Sequence, residues 1–106
     1  MAKQVRLSGT SAAVVNNALN YLLNAIPYAT TGMGVSPSEA ERVRKYFHDF
    51  PDGTHPVDPD MARVGAEALR RVLDLLNGDP ELSILIAEEP VVAALADRLE
   101  RSAGGN

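Results

Sequence analysis

The sequence from Asp58 to Gly78 is DPDMARVGAEALRRVLDLLNG, and it predicts the clearest helix of the chain. Apolar residues recur along it at steps of three and four, with further small or apolar residues beside them: Met61, Val64, Ala68, Val72 and Leu75, then Gly65, Leu69 and Leu76. Charged residues fall on the opposite side: Asp60, Arg63, Glu67, Arg70, Arg71 and Asp74. This pattern is typical of an amphipathic helix whose apolar stripe is covered by the rest of the fold.

The ends of this helix also carry local signals. Asp58 can accept a hydrogen bond from the first free amides, and Pro59 occupies a position where a missing N–H costs nothing. Gly78 is predicted to adopt the left-handed conformation that ends many helices. Leu69 and Val72 lie within the apolar stripe, so we expect both in the core.

Length and composition indicate one domain that spans residues 1–106. A chain of 106 residues with 45% hydrophobic residues can bury a core without disulfides or a structural metal. The absence of cysteine excludes thiolate nucleophiles and cysteine zinc sites. The net charge of −4 argues against broad electrostatic binding to nucleic acid or an anionic membrane. No signal segment or membrane-spanning run is recognisable, so we expect a cytoplasmic protein without a membrane partner.

A helix without any charged residue is predicted near the N-terminus. The residues from Ser8 to Ser11 favour a helix start, and the apolar positions that follow at helical spacing are Val15, Leu19, Leu22 and Ile26. Pro27 ends or kinks this helix. Three of its asparagines, at four-residue spacing, share one side, and a fourth is adjacent to them: Asn16, Asn20 and Asn24, then Asn17. Asparagine is a mediocre helix former, and exposed helix faces usually carry Glu, Lys or Arg instead.

The strongest local signal for a helix start lies at Ser36. Ser36 is predicted as the N-cap, Pro37 as the first helical residue, and Glu39 as the residue that completes a capping box. The helix is expected to continue to about His48, with three residues on its inner face: Ala40, Val43 and Phe47.

Two short helices are expected after Gly78. Asp79 and Pro80 repeat the combination of cap and proline, and the run from Leu82 to Ala87 then predicts a helix that ends near Glu89. A buried strand is the alternative for this run, since short apolar segments are ambiguous. Pro90 opens a last helix with three inward residues: Val92, Leu95 and Leu99.

The predicted fold is therefore all-α, a single compact domain of about five short helices. The alternating stretch from Lys3 to Leu7 gives residues 1–7 the character of an extended arm on the helices, or of a short strand within the chain or across a dimer. Residues 49–57 are predicted as a loop with a turn at Pro51-Asp52-Gly53. Residues 103–106 are predicted to fray.

A metal site is the less favoured interpretation of one loop region. Histidines and acids crowd into one loop region: His48, Asp49, Asp52, His55, Asp58 and Asp60. Their spacing matches neither a calcium loop nor a His-Glu-x-x-His helix, and the acids suit caps and turns. We therefore expect no metal or cofactor, with His48 and His55 as the weak candidates. The residues also indicate no nucleophile–base pair, so an enzyme is not expected.

A nucleic-acid site is the alternative for the basic residues of two helices. These residues could contact phosphates in the manner of a helix-turn-helix protein: Arg42, Arg44, Lys45, Arg63, Arg70 and Arg71. Acids are interleaved with them, and the pairs Glu67–Arg71 and Arg70–Asp74 have the four-residue spacing of helical ion pairs. A solvated face of mixed charge is therefore the simpler interpretation.

The uncharged N-terminal helix favours a protein interface, because interface cores are depleted in charge. The predicted contact residues are Asn16, Asn17, Asn20, Asn24 and Tyr28. The favoured function is a protein-interaction or regulatory adaptor that self-associates through this helix or binds another protein. A DNA-binding regulator is the second hypothesis, and a metal-dependent enzyme is the third.

Overall fold

The computed structural model describes residues 6–25, 36–79 and 81–103. Within these ranges the chain forms five helices and two short strands. In chain order they are β1 (Arg6–Ser8), α1 (Gly9–Ala25), α2 (Pro37–His48), β2 (Thr54–Pro56), α3 (Pro59–Gly78), α4 (Leu82–Leu85) and α5 (Glu89–Ala103). The predicted all-α fold of about five helices is confirmed, and so is the helix rather than a strand after Leu82. That helix ends at Leu85, earlier than predicted.

Helix α3 lies at the centre of the packing. It packs along α5 and against α1, while α2 covers α1 and also contacts α3. The helices pack closely at Gly65, because a Cβ placed on it would lie 3.2 Å from Val15 Cγ1, 3.3 Å from Leu99 Cδ1 and 3.4 Å from Phe47 Cε2. Side chains from α1, α5 and α2 therefore converge on one small residue of α3.

The core residues match the stripes predicted for α2, α3 and α5. Of the α1 stripe, Val15, Leu19 and Leu22 are fully buried, and Ile26 lies outside the described residues. Leu69 and Val72 are fully buried, as predicted, and so are the three inner residues of α2, to within 2% exposure. Met61 and Leu75 lie at the border of the α3 stripe and are half-buried. Val92, Leu95 and Leu99 face the core from α5.

The N-caps predicted at Ser36 and Asp58 are present, whereas the N-cap of α4 is Glu81 and not the predicted Asp79. Ser36 Oγ accepts a hydrogen bond from the Glu39 amide at 3.1 Å, and Asp58 Oδ1 accepts one from the Asp60 amide at 2.9 Å. The Glu39 carboxylate, which a capping box would direct back to its own helix start, lies 3.6 Å from Arg63 Nη2 on α3. Thus Ser36 caps α2, while Glu39 links α2 to α3.

The prediction for Gly78 is wrong. Gly78 is the last residue of α3, and among the described residues the only positive φ belongs to Gly53, at 89°. The helix ends because Asp79 leaves the helical region, with its amide still donating to the Leu75 carbonyl at 2.8 Å. A left-handed glycine is therefore not needed at this end.

The loop predicted for residues 49–57 contains a strand, which corrects the sequence interpretation. β2 pairs antiparallel with β1 in the register Arg6↔Pro56, Leu7↔His55, Ser8↔Thr54. The predicted turn at Pro51-Asp52-Gly53 precedes it, and the Gly53 carbonyl accepts from the Gly9 amide at 3.1 Å. Residues 1–5 of the predicted arm lie outside the described part.

The short sheet is held to the helices by one apolar and one polar contact. Leu7 is fully buried in the core. Arg98 of α5 donates from Nη2 to the Arg6 carbonyl at 2.6 Å. These contacts anchor the strand although only three residues pair on each side.

Candidate functional site

The exposed residues of α1 form one straight and uncharged stripe. They are Thr10, Ala13, Asn17, Asn20 and Asn24, and we call this stripe the α1 face. Their spacing alternates between three and four residues, which places side chains along one line of a helix and is the spacing of a helix–helix seam. Val14 and Tyr21 are half-buried and pack on the core beside it.

Every other described helix longer than one turn exposes charged residues. The exposed charged residues of α2 are Glu41, Arg42 and Lys45, those of α3 are Asp60, Arg63, Glu67, Arg70 and Asp74, and those of α5 are Glu89, Asp97, Arg98, Glu100 and Arg101. The α1 face is therefore distinct in composition from the rest of the described helical surface.

Two asparagines of the α1 face are joined to each other. Asn24 Nδ2 donates to Asn20 Oδ1 at 2.9 Å and to the Asn20 carbonyl at 2.8 Å. Among the described residues, the side-chain nitrogen of Asn20 and the side-chain oxygen of Asn24 have no hydrogen-bond partner. The pair thus presents one donor group and one acceptor group in a fixed arrangement.

The other three residues of the predicted contact set differ in where they lie: one is on the α1 face and two are not. Asn17 is exposed on the α1 face, but Asn16 is half-buried on its flank. Asn16 Oδ1 is buried and has no hydrogen-bond partner among the described residues. Tyr28 lies outside the described part of the chain. The prediction omitted Thr10 and Ala13, although their spacing to Asn17 was visible in the sequence.

Three of the six residues of the predicted basic face contact carboxylates: Arg44, Arg63 and Arg70. Arg44 donates to both carboxylate oxygens of Glu41, at 2.6 and 3.0 Å. This hydrogen bonding lowers the pKa of Glu41 and raises that of Arg44. Such contacts leave Arg44 less available to a phosphate.

Arg70 binds across the helix pair rather than along its own helix. Its guanidinium contacts the carboxylates of Glu100 and Asp97 on α5, and both hydrogen bonds raise the pKa of Arg70. The predicted pair with Asp74 is therefore wrong, because the α3–α5 packing brings two carboxylates within reach. No ion pair forms between Glu67 and Arg71 in the described part of the chain.

Three cations of the predicted basic set keep no carboxylate within 4.0 Å among the described residues: Arg42, Lys45 and Arg71. Two of them lie close together on α2, while Arg71 is on α3. Phosphate binding by these residues stays a prediction.

The two weak metal candidates bind neighbouring groups. His48 Nδ1 lies 2.9 Å from Asp49 Oδ1, and His55 Nε2 lies 2.6 Å from the Asp52 carbonyl oxygen. Within residues 6–25, 36–79 and 81–103, no three His, Asp or Glu side chains cluster as metal ligands would.

No protein-family model, curated protein or solved structure matches this chain significantly. No helix in the described ranges is long and apolar enough to cross a membrane.

Proposed function

We propose that the protein is an interaction module that self-associates by packing the α1 face of one copy against the α1 face of a second. The observation that carries the proposal is the complete absence of charge along this exposed stripe. A role as a regulatory adaptor in the cytoplasm follows as the expected use of such a module.

Electrostatics permits a second copy to occupy this face, although the chain as a whole is acidic. Two copies of a chain with a net charge of −4 repel each other on average. The α1 face places no ionised side chain between the two helices, so its contact requires no desolvation of a charge. Interface cores are depleted in charged residues for this reason.

The side chains of the α1 face are also self-complementary. In a twofold interface the same patch is used by both partners, so the patch must be complementary to itself. An asparagine amide both donates and accepts, and can therefore bond to an asparagine of the other copy. Thr10 and Ala13 are small, which permits a close approach of the helix axes, to about 8 Å.

The expected association is weak. Helix α1 has 17 residues and is therefore about 26 Å long. A contact along one such helix buries less than the roughly 800 Å² per partner of a standard interface. We expect dimerisation in the micromolar range, with rapid exchange between monomer and dimer.

The variant Asn20→Lys tests the proposal. A lysine there would be desolvated on both copies without a counter-ion, which can cost several kcal/mol. The mass from light scattering on a sizing column should fall to that of one chain, while circular dichroism stays unchanged. Asn77→Lys makes the same substitution at an exposed residue of α3 and should keep the wild-type mass.

Cysteine cross-linking locates the interface without a measurement of affinity. The chain contains no cysteine, so a single introduced thiol can form a disulfide only with another copy. Asn17→Cys on the α1 face should give a cross-linked dimer under mild oxidation, and Asn77→Cys should not. Equal cross-linking of both variants would place the contact elsewhere or make it nonspecific.

A further inference from the structure

A groove lies between the end of α2, β2 and the start of α3, on residues that the proposed self-association does not use. Its volume is about 670 Å³. Six side chains form its largely apolar walls: Tyr46, Phe50, Pro51, His55, Pro56 and Met61. Sites for small molecules are typically concave, mostly apolar and about 300–1,000 Å³ in volume.

The walls are held by contacts among the aromatic rings. Phe50 packs edge-to-face against Tyr46 and against His55, each with its ring centroid 6.0 Å away. The Tyr46 hydroxyl accepts a hydrogen bond from the Asp58 amide at 3.3 Å, at the start of α3. The groove is therefore supported on both sides rather than formed by isolated surface residues.

The rim of the groove is positively charged. Arg42 and Lys45 line it from successive turns of α2, and among the described residues neither has a carboxylate within 4.0 Å. Asp49 is the only acid in the lining, and its carboxylate already contacts His48. In a chain with a net charge of −4, this rim is a local exception.

We propose that this groove binds a small organic anion with an aromatic or branched apolar body and one carboxylate or sulfonate group. The body packs on Phe50 between Tyr46 and Met61, and the acidic group is bound at Arg42 and Lys45. Guanidinium and ammonium groups bind such acids through charge-assisted hydrogen bonds.

The same features argue against other anions. Inorganic phosphate would use the rim but leave the apolar walls exposed to water. A nucleic acid gains affinity from many neutralised phosphates, and the rim supplies only two cations. The match of apolar walls to a single acidic group thus favours a small amphipathic molecule.

Anilinonaphthalene sulfonate is a suitable probe, because it combines an aromatic body with one sulfonate. Phenylnaphthylamine is its uncharged analogue. Both should bind with saturable fluorescence enhancement at one site per chain. The double variant Arg42→Gln, Lys45→Gln should weaken the sulfonate by about tenfold or more, while phenylnaphthylamine stays within about twofold. These residues are exposed, so the variant is expected to fold.

Matched controls separate this site from the α1 face and from general surface charge. Arg71→Gln removes a cation outside the groove that has no carboxylate within 4.0 Å in the described part of the chain. Asn20→Lys alters the α1 face. Neither substitution should change binding of the sulfonate. Indoleacetate should displace the probe at far lower concentration than acetate. Failure of the sulfonate to bind, or equal loss of both probes in the double variant, would overturn the proposal.

Discussion

Gly65 lies so close to Val15 that a Cβ added to the glycine would stand 3.2 Å from Val15 Cγ1. Ordinary van der Waals contact needs more room, and Leu99 and Phe47 close the same space from two other helices. The absence of a side chain at Gly65 therefore permits α1, with its exposed face, to pack closely on α3.

Gly65→Ala is expected to lower the free energy of unfolding. Better helix propensity favours alanine by about 1 kcal/mol, whereas overpacking a filled core costs about 1–3 kcal/mol. We expect a net loss of about 0–2 kcal/mol in urea denaturation. Gly78→Ala is the control, because nothing lies within 4 Å of an added Cβ there, and it should gain about 0.4–1 kcal/mol. Equal stabilisation by both substitutions would contradict this expectation, because it would show that the helices can move apart to accommodate a methyl group at Gly65.

Ser36→Ala should cost about 1 kcal/mol, because the Glu39 amide loses the acceptor of its capping hydrogen bond. Ser38→Ala, at an exposed position of the same helix, should change stability by less than about 0.5 kcal/mol. The denaturation midpoints of the two variants give the comparison. An unchanged midpoint for Ser36→Ala would mean that this cap does not stabilise α2.

Leu69→Ala should cost about 2–5 kcal/mol, since Leu69 is fully buried on α3 and truncation leaves a cavity. Leu73→Ala, at a half-buried position of the same helix, should cost less. Calorimetry or urea denaturation measures both. A loss below about 1 kcal/mol for Leu69→Ala would place this side chain outside the core.

The Glu41–Arg44 pair should make a pH-dependent contribution to stability. The hydrogen bond from Arg44 holds the pKa of Glu41 below its ordinary value of 4.5. Because the folded-state pKa is lowered, the contribution is present above pH 4.5 and is lost as the pH falls through the folded-state value. The stability difference between wild type and Arg44→Gln should therefore shrink in acid. A difference that grows in acid would contradict the assigned pair.

Local signals explain why the helices could be predicted from the sequence. Ser36 and Asp58 cap their own helices, and the apolar period of α3 determines which face is buried. β2 could not be found in the same way, because Thr54-His55-Pro56 is too short to show a period and pairs with residues far away in the chain. Gly78 was misassigned because Asp79 ends the helix without a left-handed residue.

The α1 face and the groove differ in how far they could be predicted from the sequence. The uncharged character of α1 was visible directly, and the structure adds Thr10 and Ala13 to its exposed stripe. The groove was not predictable, because Phe50 and Met61 come together only through the packing of α2, β2 and α3. The ion pairs of Arg70 were not predictable either, because its guanidinium binds carboxylates on α5 and not on its own helix.

Sedimentation equilibrium of the unmodified chain over a range of concentrations tests self-association through the α1 face most directly. The weight-average mass should rise from the 11.3 kDa of one chain toward twice that value at high micromolar concentration. Asn20→Lys should remain at 11.3 kDa over the same range. A wild-type mass of 11.3 kDa at every concentration would contradict the proposed dimer.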